Sequence, residues 1–132
     1  MNTSWTVEEI TNNDEKLMAK VKTAETYEKL QTFEASERML SDSDAQTLIY
    51  IIEDADSFTY IRFPITTWGT LKEGMDEDKP LILILHSWDG KKHTLELAGF
   101  WTELRGLIEN IEGNANYGDE MVGAVEKTFV NS

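Results

Sequence analysis

The chain has 132 residues, of which 40% are hydrophobic, and its 25 acidic side chains outnumber 12 basic ones to give a net charge of −13 at pH 7. This length suits one domain over residues 1–132, and an apolar fraction that includes four Trp, four Tyr and five Phe excludes intrinsic disorder. The absence of Cys excludes disulfides, thiol catalysis and thiolate metal sites.

The charge and the first residues of the chain bear on its partners and location. A net negative charge repels phosphate backbones and anionic lipid, and the sequence shows no basic cluster, so we predict neither nucleic-acid nor membrane binding. Residues 1–13 lack the basic start and apolar segment of a signal peptide, which predicts a cytoplasmic protein. Acidic turns at residues 41–44, 53–56 and 76–78 are typical of a solvated surface, and the alternatives are a basic protein partner or a cation.

The first 40 residues can be read as helix or as strand. Residues 15–33 are rich in helix-forming side chains, yet Leu17, Ala19 and Val21 alternate with less apolar neighbours as in a half-buried strand. Periodicity alone does not decide between the two.

The middle of the chain predicts a β-hairpin followed by a helix. Two β-prone runs, residues 47–52 and 58–63, flank an acidic turn. Trp68, Leu71 and Met75 then recur at helical spacing, which predicts one short mid-chain helix.

A second hairpin is centred on Asp89-Gly90, a dipeptide that accepts the positive φ values of a two-residue type I′ turn. Residues 81–85 are apolar on both faces, so this strand should be central and covered on each face. A two-residue turn places His86 opposite His93, where the Cβ atoms would lie about 4.5–5.5 Å apart and the imidazoles could share a metal ion. No third ligand can be named, so the pair is only a weak metal candidate, and we predict no metal and no cofactor.

Two amphipathic helices close the chain, because apolar residues recur at steps of three and four on either side of residues 112–120. The residues predicted to face the sheet are Trp101, Leu104, Ile108, Val125 and Phe129.

The stretch between these helices, residues 110–121, has a structural and a functional interpretation. In the structural one, Gly113 ends the first helix in the left-handed conformation and Asn116 caps the second, so that the stretch joins two antiparallel helices. Gly118 fits this interpretation least well, since a glycine in the first turn indicates a positive φ or a close approach.

In the functional interpretation, this loop is a binding site. Its candidate residues are polar or amphipathic and lie close together in sequence: Asn110, Asn114, Asn116, Tyr117 and Gly118. The leading hypothesis is a non-enzymatic interaction or regulatory module that uses the loop to contact a protein partner or to form a homodimer. The alternative is a small-molecule-binding or hydrolytic protein with a pocket between sheet and helices, lined by the Asn residues.

Catalytic motifs are missing from the sequence. It has no Gly-rich phosphate loop, no Gly-x-Ser-x-Gly and no His-Glu-x-x-His. We therefore predict no catalytic residue, and enzymatic activity stays undecided, with the balance against it.

The string Asn-Ile-x-Gly-Asn-x-Asn-Tyr-Gly at residues 110–118, with "LSDSDAQTLIYIIEDADSFTYIRFPITTW" and "FWTEL" before it, resembles the YjbL-like family of small proteins from Bacillus-type Gram-positive bacteria. The resemblance covers residues 37–130. It implies an intracellular bacterial protein with no assigned activity and no catalytic residues to carry over. It also implies strands at about residues 5–10, 17–23 and 33–40.

These observations together predict an α+β fold. We expect one mainly antiparallel sheet of about six or seven strands, a short mid-chain helix, and a C-terminal helical hairpin that covers one face of the sheet.

Overall fold

The computed structural model of the protein describes residues 3–131. Eight strands are β1 (Thr3–Thr6), β2 (Glu9–Asn12), β3 (Leu17–Lys22), β4 (Glu34–Asp42), β5 (Thr47–Glu53), β6 (Phe58–Pro64), β7 (Leu81–His86) and β8 (Lys92–Glu96). Four helices are α1 (Tyr27–Leu30), α2 (Trp68–Asp76), α3 (Phe100–Ile111) and α4 (Asp119–Val125). Short 3₁₀ turns precede α2 and α4 (Ile65–Thr67 and Ala115–Tyr117), and a π-helical turn (Glu126–Val130) extends α4. Within residues 3–131, none of these helices has the length and apolar character needed to cross a membrane.

The strands divide between two mixed sheets. Sheet A has the order β1-β6-β5-β4, and sheet B has the order β2-β3-β7-β8. Each sheet contains one parallel pair, β1 with β6 and β3 with β7, and its other neighbours are antiparallel. The α+β class is confirmed, but the single, mainly antiparallel sheet of six or seven strands is wrong.

The chain changes sheets between two adjacent residues near its start. The Val7 N–H donates to the Arg62 carbonyl in sheet A at 2.9 Å, and the Glu8 N–H donates to the Lys20 carbonyl in sheet B at 2.9 Å. The strand expected at residues 5–10 is therefore two strands, β1 and β2, in different sheets. The parallel pairs join segments that are far apart in sequence, which local hairpin signals do not report.

The remainder of the first 42 residues contains two more strands and a short helix. β3 and β4 confirm the strands expected at residues 17–23 and 33–40, and the register of β4 shifts between Ala35 and Met39, where Glu37 has a φ of 58°. The helix α1 lies in the stretch that the sequence leaves open between helix and strand, and Thr26 caps it, with its Oγ1 accepting from the Lys29 N–H at 3.1 Å.

The inner faces of the two sheets share one hydrophobic core with the helices. On β7, Leu81, Leu83 and Leu85 are fully buried, whereas the alternate Ile82 and Ile84 are only half-buried. This strand is interior to sheet B as expected, but its second face is not covered to the same degree. Each fully buried apolar side chain contributes about 1.5–3 kcal/mol.

The C-terminal helices close the core. All five residues predicted to face the sheet are buried: Trp101, Leu104, Ile108, Val125 and Phe129. Phe100, at the start of α3, stacks on Tyr50 with 5.7 Å between ring centroids and meets Phe63 edge-on at 5.2 Å. These ring contacts fix the start of α3 against sheet A.

The hydroxyl of Tyr50 connects three segments inside this core. It donates to the Ala98 carbonyl at 2.6 Å and accepts from the Glu37 N–H at 3.1 Å. Burial raises the pKa of Tyr50 to about 12. The β4 bulge and the start of α3 are therefore both anchored to β5.

Candidate functional site

The β7–β8 hairpin has a three-residue loop instead of the predicted two-residue turn. The Ser87 N–H donates to the Lys91 carbonyl at 2.8 Å, and Gly90 has a φ of 85°, as in a loop whose last residue is left-handed. The Ser87 hydroxyl favours this longer loop, since it accepts from the Lys91 N–H at 3.0 Å and bonds the Asp89 carboxylate.

This extra loop residue separates the two histidines. His86 lies opposite Lys92, and His93 lies opposite Leu85, so the two imidazoles are on opposite faces of the hairpin and their predicted pairing is wrong. His93 meets Tyr27 edge-on, with ring centroids 6.2 Å apart. Among residues 3–131, no group of three or more His, Asp or Glu side chains is placed to hold a metal ion.

The loop at residues 110–121 is held by hydrogen bonds within itself and to the last helix. Asn114 uses both ends of its amide, because Oδ1 accepts from the Asn116 N–H at 3.0 Å and Nδ2 donates to the Asn110 carbonyl at 3.1 Å. Gly113, with a φ of 66°, ends α3 as predicted, and its N–H donates to the Glu126 carboxylate at 2.9 Å. The polar side chains of this sequence therefore serve largely to stabilise the turn.

Gly118, not Asn116, stands at the start of α4. Its φ of 86° and ψ of 146° are a conformation that residues with a Cβ rarely adopt, and no atom lies within 4 Å of the place where a Cβ would be. The requirement for glycine is therefore conformational. The prediction that Asn116 caps the last helix is wrong, because the 3₁₀ turn capped by Asn114 occupies the position where that cap was expected.

A cleft of about 260 Å³ lies beside this loop. It is formed by residues 43–44, in the turn between β4 and β5, and by residues 117–121, and we call it the loop cleft. The Gln46 Nε2 donates to the Glu120 carbonyl at 3.3 Å and ties the two segments together. Tyr117 is half-buried against the core at its rim, and Gly118 lines it.

The loop cleft is acidic. Asp44, Asp119 and Glu120 are exposed, and none of the three forms an ion pair within the described part of the chain. Of the residues predicted to bind, Tyr117 and Gly118 lie in the cleft, Asn110 and Asn114 bond each other beside it, and Asn116 is exposed.

The alternative interpretation requires a pocket between sheet and helices that is lined by the Asn residues. A cleft of about 190 Å³ does lie between β7, β8 and the start of α3, where the Trp101 Nε1–H donates to the Lys79 carbonyl at 2.6 Å. Its lining includes Trp101 and Arg105 and none of the three Asn side chains.

A basic surface also exists that the linear sequence does not display. On the outer face of sheet B, Lys20 and Lys22 from β3 meet His86 from β7 and Lys92 from β8. We call this surface, with the half-buried Met18, Ile82 and Ile84 beside it, the lysine face. The signal in the sequence is the spacing of Lys20 and Lys22 by two residues. The parallel pairing of β3 with β7 places His86 beside Lys22, and the antiparallel pairing of β7 with β8 adds Lys92.

Comparisons with known proteins place the chain among bacterial relatives. A family model described as "Family of unknown function (UPF0738)" matches residues 5–129. A UPF0738 protein of Halalkalibacterium halodurans is 43% identical over 102 residues, which are 77% of this chain and 78% of the relative. A UPF0738 protein of Anoxybacillus flavithermus is 45% identical over 100 residues, 76% of this chain and 70% of the relative. These matches confirm the expected small family of Bacillus-type bacteria and do not confirm the name YjbL-like. No solved structure matches the chain significantly.

Proposed function

The chain belongs to the UPF0738 family, whose function is unknown, and on the geometry of its last loop we propose that it is a non-enzymatic interaction module that binds a protein partner through the loop cleft. The observation that carries this proposal is the internal bonding of the loop. Three hydrogen bonds fix the chain immediately before Tyr117: Gly113 and Asn114 donate one each, and Asn114 accepts the third from the Asn116 N–H. A contact loop that is already ordered loses less conformational entropy when a partner binds.

Tyr117 supplies the anchoring side chain. It is half-buried against the core at the rim of the cleft, so its ring is held in place while its surface remains available. Tyrosine is enriched among the residues that dominate binding energy, because its ring is large and rigid and its hydroxyl can form a hydrogen bond.

The charge of the cleft selects the partner. Asp44, Asp119 and Glu120 carry negative charge without a cation beside them within residues 3–131, which favours a segment rich in Lys or Arg. Two copies of the same acidic cleft repel each other. We therefore favour a different protein over a homodimer formed through this surface.

The test is affinity capture by the immobilised protein from a lysate of a Bacillus-type bacterium. Tyr117→Ala and Asp44→Asn should each reduce the amount of a basic protein that is recovered. The control is Asp14→Asn, which makes the same charge change in the exposed turn between β2 and β3 and should not change that amount. Asn114→Ala is unsuitable because it also removes the bonds that shape the loop. Equal recovery of every bound protein by all the variants would refute the proposal.

A further inference from the structure

The lysine face contains a straight row of cationic and titratable side chains. The strand register places Lys22 beside His86 and His86 beside Lys92, so that the row crosses β3, β7 and β8 at one level. Lys20 precedes Lys22 by two residues and therefore lies on the same face. Opposed Cβ atoms in such rows are about 4.5–5.5 Å apart, so the ammonium groups of Lys22 and Lys92 flank the imidazole.

The positive charges of this row are poorly neutralised by the protein itself. Lys20 and Lys92 form no ion pair with any residue in the range 3–131, and the nearest carboxylate oxygen to the Lys22 ammonium is that of Glu8, at 3.9 Å. The other carboxylates on this face are Glu9, opposite Lys20, and Glu96, opposite Ile82. In a chain of net charge −13, this face is therefore less acidic than the chain as a whole, and Lys20 and Lys92 are its unpaired cations within residues 3–131.

The direction in which the pKa of His86 is shifted agrees with a positive electrostatic field around the imidazole. Partial burial lowers the pKa of His86, and Lys20, Lys92 and Lys22 lower it further, whereas Glu8 raises it more weakly than any of these lowers it. The imidazole therefore senses the three lysines more strongly than it senses the carboxylate nearby.

Apolar side chains lie beside the charged row. Met18, Ile82 and Ile84 are half-buried on the same face and do not belong to the hydrophobic core. At the adjoining hairpin tip, Trp88 is 69% exposed, although its N–H donates to the Glu25 carbonyl at 2.9 Å and holds its main chain in place. An exposed Trp on a fixed main chain is the type of residue that anchors protein interfaces.

We propose that the lysine face is a second docking surface, which binds an extended acidic segment of a partner protein in which carboxylates alternate with apolar side chains. The carboxylates pair with Lys22 and Lys92, and the apolar side chains cover Ile82 and Ile84. The uniformly charged backbone of a nucleic acid fits less well, because it extends beyond this face into the field of an acidic protein, and charges interact over about 8 Å at physiological salt.

The test measures fluorescence anisotropy of a labelled short peptide of alternating Glu and Leu mixed with the full chain. Lys22→Glu combined with Lys92→Glu should weaken binding by roughly tenfold or more. The matched control is Lys16→Glu combined with Lys127→Glu, which makes the same change in net charge at exposed positions elsewhere and should weaken binding by less than about twofold. Trp88→Ala should also weaken binding, and Tyr117→Ala should not, which separates this surface from the loop cleft.

Three results would overturn the proposal. The first is that wild type does not bind the peptide, and the second is that the two double variants lose affinity equally, which would show an effect of net charge alone. The third is that a labelled DNA duplex binds more tightly than the peptide and shows the same dependence on Lys22 and Lys92, which would make the face a nucleic-acid surface. Circular dichroism of both double variants verifies that they are folded.

Discussion

Lys92 lies directly opposite His86 across strands β7 and β8, and Lys22 occupies the neighbouring position on the other side of the imidazole. Partial burial and these lysines hold the pKa of His86 below its ordinary value of 6.5. We predict that Lys92→Gln moves this pKa upward, because it removes one of the repelling charges. NMR titration of the His86 ring protons measures it, and a pKa of His86 at or above the ordinary value in wild type would contradict the geometry.

The same depressed pKa makes stability depend on pH. As the pH falls below about 6.5, His86 of the unfolded chain takes up a proton before the folded chain does, so the free energy of unfolding decreases through that window. Above this range both states are neutral at His86 and the effect is absent. Lys92→Gln should reduce the decrease, which denaturant unfolding at a series of pH values would detect.

Gly118→Ala should destabilise the protein by about 1 kcal/mol or more, because Gly118 holds a φ of 86° that alanine adopts only with strain. Gly123 is a matched control within α4, with no positive φ and no atom within 4 Å of the position that a Cβ would take. Gly123→Ala should stabilise by up to about 1 kcal/mol. Urea unfolding of both variants compares them, and effects of the same sign would show that the conformation of Gly118 is not required.

Tyr50→Phe should lower the free energy of unfolding by about 1–3 kcal/mol, because it removes two part-buried hydrogen bonds of the hydroxyl, to the Ala98 carbonyl and from the Glu37 N–H. Tyr27→Phe is the control at a half-exposed ring and should change stability by less than about 0.5 kcal/mol. Thermal unfolding of the two variants is the measurement. Equal effects would mean that the hydroxyl of Tyr50 has no anchoring role.

Asp54→Asn should lower the free energy of unfolding at neutral pH. The side chain of Asp54 is 5% exposed and pairs with Lys29, and this bond, followed by main-chain donors, holds its pKa well below the usual range. Asparagine retains the Oδ1 that accepts from the Asp56 and Ser57 N–H groups at 2.9 and 2.8 Å, so the substitution keeps the turn and removes both the charge and the Oδ2 acceptor that bind Lys29.

The acid dependence of this pair has a definite sign. The pKa of Asp54 is lower in the folded chain than in the unfolded chain. The ionised carboxylate therefore adds to the free energy of unfolding at pH values above the ordinary pKa of 3.8, and this contribution is lost as the pH falls toward the folded pKa. The difference in free energy of unfolding between wild type and Asp54→Asn should therefore become smaller below about pH 4. A difference that stays constant with pH would exclude the ion pair as its cause, and Asp56→Asn, at an exposed neighbour, serves as the control.

The parts of the fold that depend on residues close together in the sequence could be predicted from it. The β5–β6 hairpin, the helix at Trp68 and the end of α3 at Gly113 all follow from local patterns. The division into two sheets could not, because it depends on parallel pairing of β3 with β7 and on a change of sheet at Val7. Neither event leaves a periodic signal.

Errors of one residue had the largest consequences for the candidate sites. An additional residue in the loop before Lys91 moved His86 and His93 to opposite faces, and it created the row with Lys22 and Lys92 in place of a histidine pair. In the last loop, the side chain of Asn114 caps a 3₁₀ turn at residues 115–117, and α4 begins after Gly118 instead of after Asn116. Both outcomes depend on which side-chain oxygen accepts a hydrogen bond from a main-chain N–H, and composition does not determine this.

The most direct test of the proposed interaction module is photo-crosslinking in living Bacillus-type cells, with a benzoyl-phenylalanine residue in place of Tyr117 and, in a control, in place of the exposed Glu15. The loop cleft predicts a discrete adduct from position 117 that is absent from position 15, with the cross-linked segment of the partner rich in Lys or Arg. Identical adducts from both positions, or none from position 117, would contradict the proposal that this cleft binds a protein partner.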